Sequence, residues 1–176
     1  MLHRSYIGMS SRSISSPIVH SRQQLIYLPL AILLLDQLSK AAVRATIPLG
    51  ESRTLIPALG RAVRIVHIDN PAAAFGLLGE EGGPFITIFA FVVIGLILFF
   101  YPRIAASEPY MRWAFGLLLG GFTGNLIDRL WLGYVTDIFI VLLPNAFNIA
   151  DLANFGGFLV LLIGYLEESS SSKSSS

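Results

Sequence analysis

The residues from Gly82 to Pro102 read GGPFITIFAFVVIGLILFFYP, and none of them carries a charged side chain. An α-helix needs about 20 predominantly apolar residues to cross the hydrocarbon core of a bilayer. The stretch therefore predicts a transmembrane helix, and it is the clearest such segment of the chain.

Three further segments are apolar over a similar length: Leu25–Val43, Trp113–Leu130, and a segment from about Asn148 to Leu166. The whole-chain composition agrees, because 54% of the 176 residues are hydrophobic and only 13% are charged. Soluble domains carry about 25% charged residues. We expect an all-α membrane protein with four transmembrane helices.

The connections between these segments are not simple loops. The sequence RAVRIVHID at Arg61–Asp69 has the β-branched, alternating pattern of a strand. We therefore expect a small extracytoplasmic β element in the first long loop. Residues 135–147 are apolar but too short to span a bilayer, and Pro144-Asn145 interrupts them. An extended strand or an interfacial element beside the bundle would fit that segment.

Both ends of the chain are polar. Residues 1–22 are rich in serine and arginine, and residues 169–176 read SSSSKSSS. Such compositions favour disordered tails, which leaves residues 23–168 as the folded domain. The basic, acid-free N-terminal stretch also resembles an organelle transit peptide, which is the less favoured alternative. The distribution of Lys and Arg between the loops does not decide the orientation in the membrane.

Polar side chains recur near one end of three of the predicted helices. Residues three or four apart share a helix face, and three such pairs occur: Asp36 and Lys40, Asn125 and Arg129, Asn148 and Asp151. In four antiparallel spans these ends lie on one side of the membrane. Asp137, just before the fourth segment, would join them there.

The residue types restrict the chemistry that this cluster could perform. The chain has no cysteine, its net charge of +1 gives no case for nucleic-acid binding, and its three histidines lack metal-ligand spacing. Two neighbouring carboxylates can share a proton, so that one acts as a base toward water while the other acts as an acid. Asp137 and Asp151 are the candidate pair, and no metal or cofactor is expected.

Five motifs then resemble, in order, the signature blocks of bacterial lipoprotein signal peptidase, also called signal peptidase II, in aspartic peptidase family A8. They are Asp36-Gln-Leu-Ser-Lys40, Asn70-x-Ala-Ala-Ala-Phe75, Gly124-Asn-Leu-Ile-Asp-Arg129, Val135-Thr-Asp137 and Phe147-Asn-Ile-Ala-Asp151. The resemblance covers roughly residues 25–166.

The resemblance implies an intramembrane aspartyl endopeptidase that removes the signal peptide of diacylglyceryl-modified prolipoproteins, cutting before the lipidated cysteine. It implies a catalytic dyad of Asp137 and Asp151, without a cofactor, that activates water. Supporting or substrate-binding positions would be Asp36, Lys40, Asn70, Gly124, Asn125, Arg129, Asn148 and Ala150.

The same resemblance implies a multi-pass protein of the bacterial inner (cytoplasmic) membrane with its active site on the extracytoplasmic side. Both termini would lie in the cytoplasm, the partners would be the prolipoprotein and membrane lipid, and the protein would act as a monomer. The antibiotic globomycin would be an inhibitor.

The chain departs from the family pattern at a few positions. Pro71 and Ala72 stand where a variable residue and a glycine are usual, and Ile138 replaces an aromatic residue after the catalytic candidate. The segment between Asp137 and Asp151 is also short. A proton- or ion-coupled transporter or channel subunit is the main alternative, since intramembrane carboxylates also serve ion paths. A structural membrane protein, in which the polar residues only hold helices together, is the third.

Overall fold

The computed structural model describes residues 17–71, 82–104, 109–142 and 145–174. These residues form four α-helices: α1 (Pro17–Thr46), α2 (Gly82–Ile104), α3 (Pro109–Leu132) and α4 (Ile149–Ser174). Each predicted apolar segment lies within one of the helices, so the prediction of a mostly helical protein is confirmed.

Three of these helices contain a stretch that is long and apolar enough to cross a membrane: Ile26–Thr46, Gly82–Tyr101 and Ile149–Ser170. Helix α3 is different because it packs against α1, α2 and α4. A helix surrounded by other helices can carry small and polar residues at those contacts, and such residues lower the mean hydropathy of α3. Three spans are supported in this way, and the fourth remains a prediction.

Small residues allow α3 to lie close to its neighbours. At Gly120, an added Cβ would lie 2.9 Å from the Cβ of Ile32 on α1, well inside van der Waals contact. At Gly157 on α4, an added Cβ would lie 2.6 Å from Cγ of Leu118. Such close approaches through glycine are common between helices packed in membranes.

The connections form one antiparallel sheet of four strands in the order β1-β2-β3-β4. The strands are β1 (Ser52–Thr54), β2 (Val63–Asn70), β3 (Val135–Val141) and β4 (Ala146–Phe147), and a 3₁₀ helix (Pro57–Ala62) joins β1 to β2. The predicted strand in the first long loop is thus confirmed as β2. The sheet is larger than predicted, because residues 135–147 supply two further strands.

The register of β2 and β3 positions the polar residues at one end of the sheet. Asn70 pairs with Val135 and Ile68 pairs with Asp137, and a register shift separates these pairs from those at the other end. The sheet packs on the end of α1 through a buried cluster in which Val43 and Ile47 contact Ile138.

The helices extend into both stretches for which the sequence favoured disorder. Helix α1 begins at Pro17 and α4 continues to Ser174. At the latter end Ser170 Oγ donates to the carbonyl of Glu167 at 2.8 Å. Serine hydroxyls in a helix commonly bond to backbone carbonyls one turn earlier. The domain limits themselves stay a prediction, and residues 1–16 and Ala72 lie outside the described part.

Candidate active site

Asp137 lies on β3, is only 2% exposed, and accepts a hydrogen bond on each carboxylate oxygen. Asn70 Nδ2 donates to Oδ2 at 2.9 Å, and Asn148 Nδ2 donates to Oδ1 at 2.9 Å. Strand pairing brings Asn70 to this place, since the last residue of β2 pairs with the first residue of β3. Two amides therefore fix the orientation of one carboxylate.

Burial raises the pKa of Asp137 to about 6, because the ionised form loses its hydration. The nearby carboxylate of Asp151 acts in the same direction, whereas the amides of Asn70 and Asn148 favour the ionised form and limit the rise. A carboxyl with this pKa exchanges its proton close to neutral pH, as a general acid or base must.

Asp151 lies in the first turn of α4 and is half-buried. Its Oδ1 accepts from Asn125 Nδ2 at 2.7 Å, and its Oδ2 accepts from the backbone N–H of Asn148 at 3.2 Å. Asn148 Oδ1 in turn accepts from the backbone N–H of Asp151 at 2.9 Å. This reciprocal pair is a capping box, which satisfies two orphan donors at a helix start.

Asn148 is thus the common partner of both candidate carboxylates. Its side-chain nitrogen donates to Asp137, while its side-chain oxygen and backbone nitrogen both bond Asp151. The side chain is fully buried. Because one residue contacts both carboxyl groups, their relative position depends on how α4 begins.

A buried ion cluster lies beside these two residues, and Lys40 is its centre. Lys40 Nζ lies 2.7 Å from Asp36 Oδ2 and 3.0 Å from Asp128 Oδ2. It also donates to Asn125 Oδ1 at 2.9 Å, so all three ammonium protons have a partner. Lys40 and Asp36 are 0% exposed and Asp128 is 1% exposed. The cluster ties α1 to α3.

Gly124 and Ala150 are small because the helices meet at this point. A Cβ added at Gly124 would lie 2.7 Å from Asp36 Oδ2 and 3.3 Å from the Cβ of Ala150. The backbone N–H of Ala150 donates to Asp36 Oδ1 at 2.9 Å, so Asp36 also binds the first turn of α4. A carboxylate at a helix N-terminus is stabilised by the helix dipole.

Arg129 is half-buried near the end of α3 and interacts electrostatically with Asp151, Asp128 and Asp137. Its Nη1 donates to the carbonyl of Asn125 at 3.4 Å. Its Nε is buried and makes no hydrogen bond to any residue of the described part. The guanidinium therefore keeps donor capacity for a further acceptor.

An apolar cavity of about 360 Å³ lies between the β3–β4 connection and the start of α4. It is lined by Val141, Asn145, Ala146, Phe147, Asp151, Leu152 and Phe155. Asp151 is the one carboxylate in this lining. Within the part of the chain that the structure covers, no group of three or more histidine or acidic side chains could hold a metal.

The structure places all ten sequence-predicted site residues around this end of the bundle, and it adds two that the sequence did not single out. Gln37 Nε2 donates to Asp36, to the Gly124 carbonyl and to Asp128 at 3.1–3.2 Å. Thr136 contacts Asp128 and Asn148 through its backbone. Gln37 and Thr136 could both have been found from their places beside Asp36 and Asp137 in the motifs.

Comparison with known proteins decides the family. The sequence model of the family described as signal peptidase (SPase) II matches residues 28–167. The chain belongs to the signal peptidase II family. As a member, it is an aspartic peptidase and a multi-pass membrane protein, which also decides against a transporter or channel subunit.

Individual relatives agree over most of their length. Lipoprotein signal peptidase of Moorella thermoacetica is 38% identical over 77% of this chain and 88% of its own. That of Pelotomaculum thermopropionicum is 36% identical over 80% of this chain and 90% of its own. A solved bacterial membrane enzyme, 27% identical, superposes with a TM-score of 0.77 over 85% of this chain and 91% of its own.

Proposed function

We propose that this signal peptidase II removes the signal peptide from diacylglyceryl-modified prolipoproteins and cuts before the lipidated cysteine. Asp137 and Asp151 form the catalytic dyad that activates the attacking water. The observation that carries the proposal is the link through Asn148, which bonds both carboxylates and holds them on one side of the bundle.

The chemistry follows from a dyad that shares one proton. The ionised carboxylate takes a proton from water while the water oxygen attacks the scissile carbonyl carbon. The protonated carboxyl gives its proton to the carbonyl oxygen, which yields a neutral tetrahedral diol. That diol then collapses: one hydroxyl gives its proton to the ionised carboxylate of the dyad as the C–N bond breaks, and the departing amine receives the proton of the other carboxyl. The pKa of about 6 at Asp137 supports such an exchange near neutral pH.

Three asparagine side chains support the dyad rather than the substrate. The Nδ2 groups of Asn70 and Asn148 orient Asp137, and that of Asn125 orients Asp151. Each amide donates to an acceptor-only carboxylate oxygen. Arg129 is assigned to substrate binding, because it interacts electrostatically with both Asp151 and Asp137 and so lies beside the dyad.

The cavity next to Asp151 supports the choice of a lipidated substrate. Its wall includes Leu152 and Phe155, whose exposed fractions are 52% and 69%, and both project from a helix apolar enough to span the bilayer. A cysteine bearing two acyl chains would be held at the membrane by about 0.8 kcal/mol per buried methylene. The lipid thus fixes the depth at which the scissile bond meets the dyad.

The membrane arrangement completes the proposal. Helix α3 is the fourth span, both termini lie in the cytoplasm, and the protein acts as a monomer in the inner membrane. With that topology, the C-terminal ends of α1 and α3 and the start of α4 face the extracytoplasmic side. The sheet and both aspartates lie there, where exported precursors present their cleavage sites.

The decisive experiment uses the purified full-length protein in liposomes with a diacylglyceryl-modified precursor and mass spectrometry of the products. Wild type should release the signal peptide, and Asp137→Asn and Asp151→Asn should each abolish release while leaving the protein folded. Glu51→Gln is the matched control, because Glu51 is exposed and lies outside the site. Equal cleavage of a precursor with serine in place of the lipidated cysteine would refute the requirement for lipid.

Retained turnover within about tenfold of wild type in either aspartate variant would remove that residue from the dyad, since loss of an acid–base group costs at least about a hundredfold. A single cut at another bond would refute the cleavage position but not the dyad. These results separate the substrate, the site of cleavage and the catalytic residues.

A further inference from the structure

We propose that Arg44 is a positioning residue of this peptidase, which holds Asp137 in place through the hydroxyl of Thr136. The inference rests on the proposed function, because it assigns Asp137 to the dyad. The juxtaposition is direct: Arg44 Nη1 donates to Thr136 Oγ1 at 2.9 Å, and Thr136 is the residue before Asp137.

Thr136 is held at every polar atom that it possesses. Its backbone N–H donates to Asp128 Oδ2 at 3.1 Å, and its carbonyl accepts from Asn148 Nδ2 at 3.5 Å. Arg44 supplies the third contact, to the hydroxyl. The residue is 0% exposed. Thr136 is therefore held from α1, from α3 and from the residue that precedes α4.

Arg44 reaches β3 from α1 by a hydrogen bond, in addition to the apolar packing of Val43 against Ile138. Arg44 lies four residues after Lys40, on the same helix face. Lys40 binds Asp128, which in turn binds the N–H of Thr136. Lys40 and Arg44 thus both hold Thr136, Lys40 through Asp128 and Arg44 directly. A change in the position of α1 relative to β3 would move Asp137 with it.

A purely packing role for Thr136 does not account for the hydroxyl. Valine has almost the same shape and would fill the space without a buried polar atom. A buried hydroxyl needs a partner, and here the partner is a charged donor, which makes a stronger bond than a neutral one.

The guanidinium of Arg44 is half-buried in the wall of a second cavity, of about 380 Å³, which shares no lining residue with the cavity at Asp151. Shortening Arg44 should therefore cause little repacking.

The test compares kcat and KM per folded molecule in the lipidated-precursor assay. Arg44→Gln and Thr136→Val should each lower kcat on the order of tenfold, less than the hundredfold that a misplacement of 1 Å can cost. KM should change by less than about twofold, because substrate contacts remain. The double variant should be no slower than the slower single variant, as expected for residues that act through one bond.

Conservative variants and the pH profile separate positioning from mere stability. Thr136→Ser keeps the hydroxyl and should recover most of the kcat that Thr136→Val loses, and Arg44→Lys should recover part. Once Asp137 is loosened, the amides of Asn70 and Asn148 bind it less well. Those amides favour the ionised form, so weaker bonds from them should raise the pKa of Asp137, while Asp151 and Lys40 still act on it as before. The acidic limb of the pH profile of kcat should therefore move to higher pH.

Arg53→Gln is the matched control, because Arg53 donates to the carbonyl of Thr46 on the exposed surface at the same end of α1. It should leave kcat and the pH profile unchanged. Additive losses of kcat in the double variant would overturn this inference but not the proposed function. The same holds if the variants lower only the folded yield while kcat and the acidic limb keep their wild-type values. A wild-type protein that cleaves no precursor would overturn the proposed function and this inference with it.

Discussion

Replacing Lys40 with methionine tests whether the ion cluster holds the bundle together. Methionine keeps the length of the side chain and removes the charge. Asp36 and Asp128 would then be two buried carboxylates without the ammonium that contacts them, since Lys40 Nζ lies within 3.0 Å of both. Asn125 Oδ1 would lose its donor as well.

The magnitude follows from what remains bonded. Asp36 keeps the backbone N–H of Ala150 and Asp128 keeps that of Thr136, so both carboxylates stay hydrogen-bonded. Removing one partner of a buried ion pair costs about 3–5 kcal/mol, because the other charge is left uncompensated. Against a typical total of about 5–15 kcal/mol, that loss is a large fraction of the free energy of unfolding.

A second substitution sharpens the test. Lys40→Met with Asp128→Asn removes one of the two orphaned charges, so it should be more stable than Lys40→Met alone, by about 1–2 kcal/mol. Two independent destabilising changes would instead add. Arg53→Gln removes an exposed cation of β1 that donates to the last residue of α1. It should change the free energy of unfolding by less than about 0.5 kcal/mol.

The assay is thermal unfolding of the purified variants in one detergent, together with folded yield. Lys40→Met should lower the apparent Tm by about 6–20 °C, since a loss of about 3–5 kcal/mol corresponds to roughly 2–4 °C per kcal/mol for a chain of this size. A shift no larger than that of Arg53→Gln would show that the cluster contributes nothing to stability. A double variant less stable than Lys40→Met would refute the reasoning from uncompensated charge.

Two further predictions concern the titration of Asp137 and the topology. Because burial raises the pKa of Asp137 to about 6 from an ordinary value near 3.8, the folded state binds this proton more tightly than the unfolded state. The stability that this group contributes is complete below pH 4 and is lost as pH rises through 6, on the order of 3 kcal/mol. The difference in Tm between wild type and Asp137→Asn should fall across this window, and a constant difference would contradict it. A reporter fused after Gly60 should lie outside the cytoplasm and one fused within residues 107–110 should lie inside, and the reverse would refute the proposed orientation.

The positions of the helices could be predicted because their signal is local. An uncharged run such as Gly82–Pro102 indicates a span without knowledge of the rest of the chain. The shared face of Asp36 and Lys40 was equally local, since four residues make little more than one helical turn. The structure adds what lies between helices: on α3, Lys40 Nζ binds Asn125 Oδ1 at 2.9 Å and Asp128 Oδ2 at 3.0 Å.

The sheet could be predicted only in part, because strand pairing is not local. The alternation in β2 identified one strand, but its partner β3 lies more than 60 residues further along the chain. A short apolar segment broken by proline fits either a strand or an interfacial element, and only pairing with β2 decides between them. The role of Asn148 as common partner of Asp137 and Asp151 depends on that pairing, so it was not accessible either.

The start of α4 and the geometry of the dyad are one structural constraint. A helix must cap its first N–H groups, and α4 does so with the side chains of Asn148 and Asp151 bonded to each other's backbone. The remaining donor of the Asn148 amide then points to Asp137. The oxygen and nitrogen of one amide therefore serve the helix cap and the strand at the same time. No further residue is needed to position the two carboxylates, since the contacts that start the helix also set their relative position.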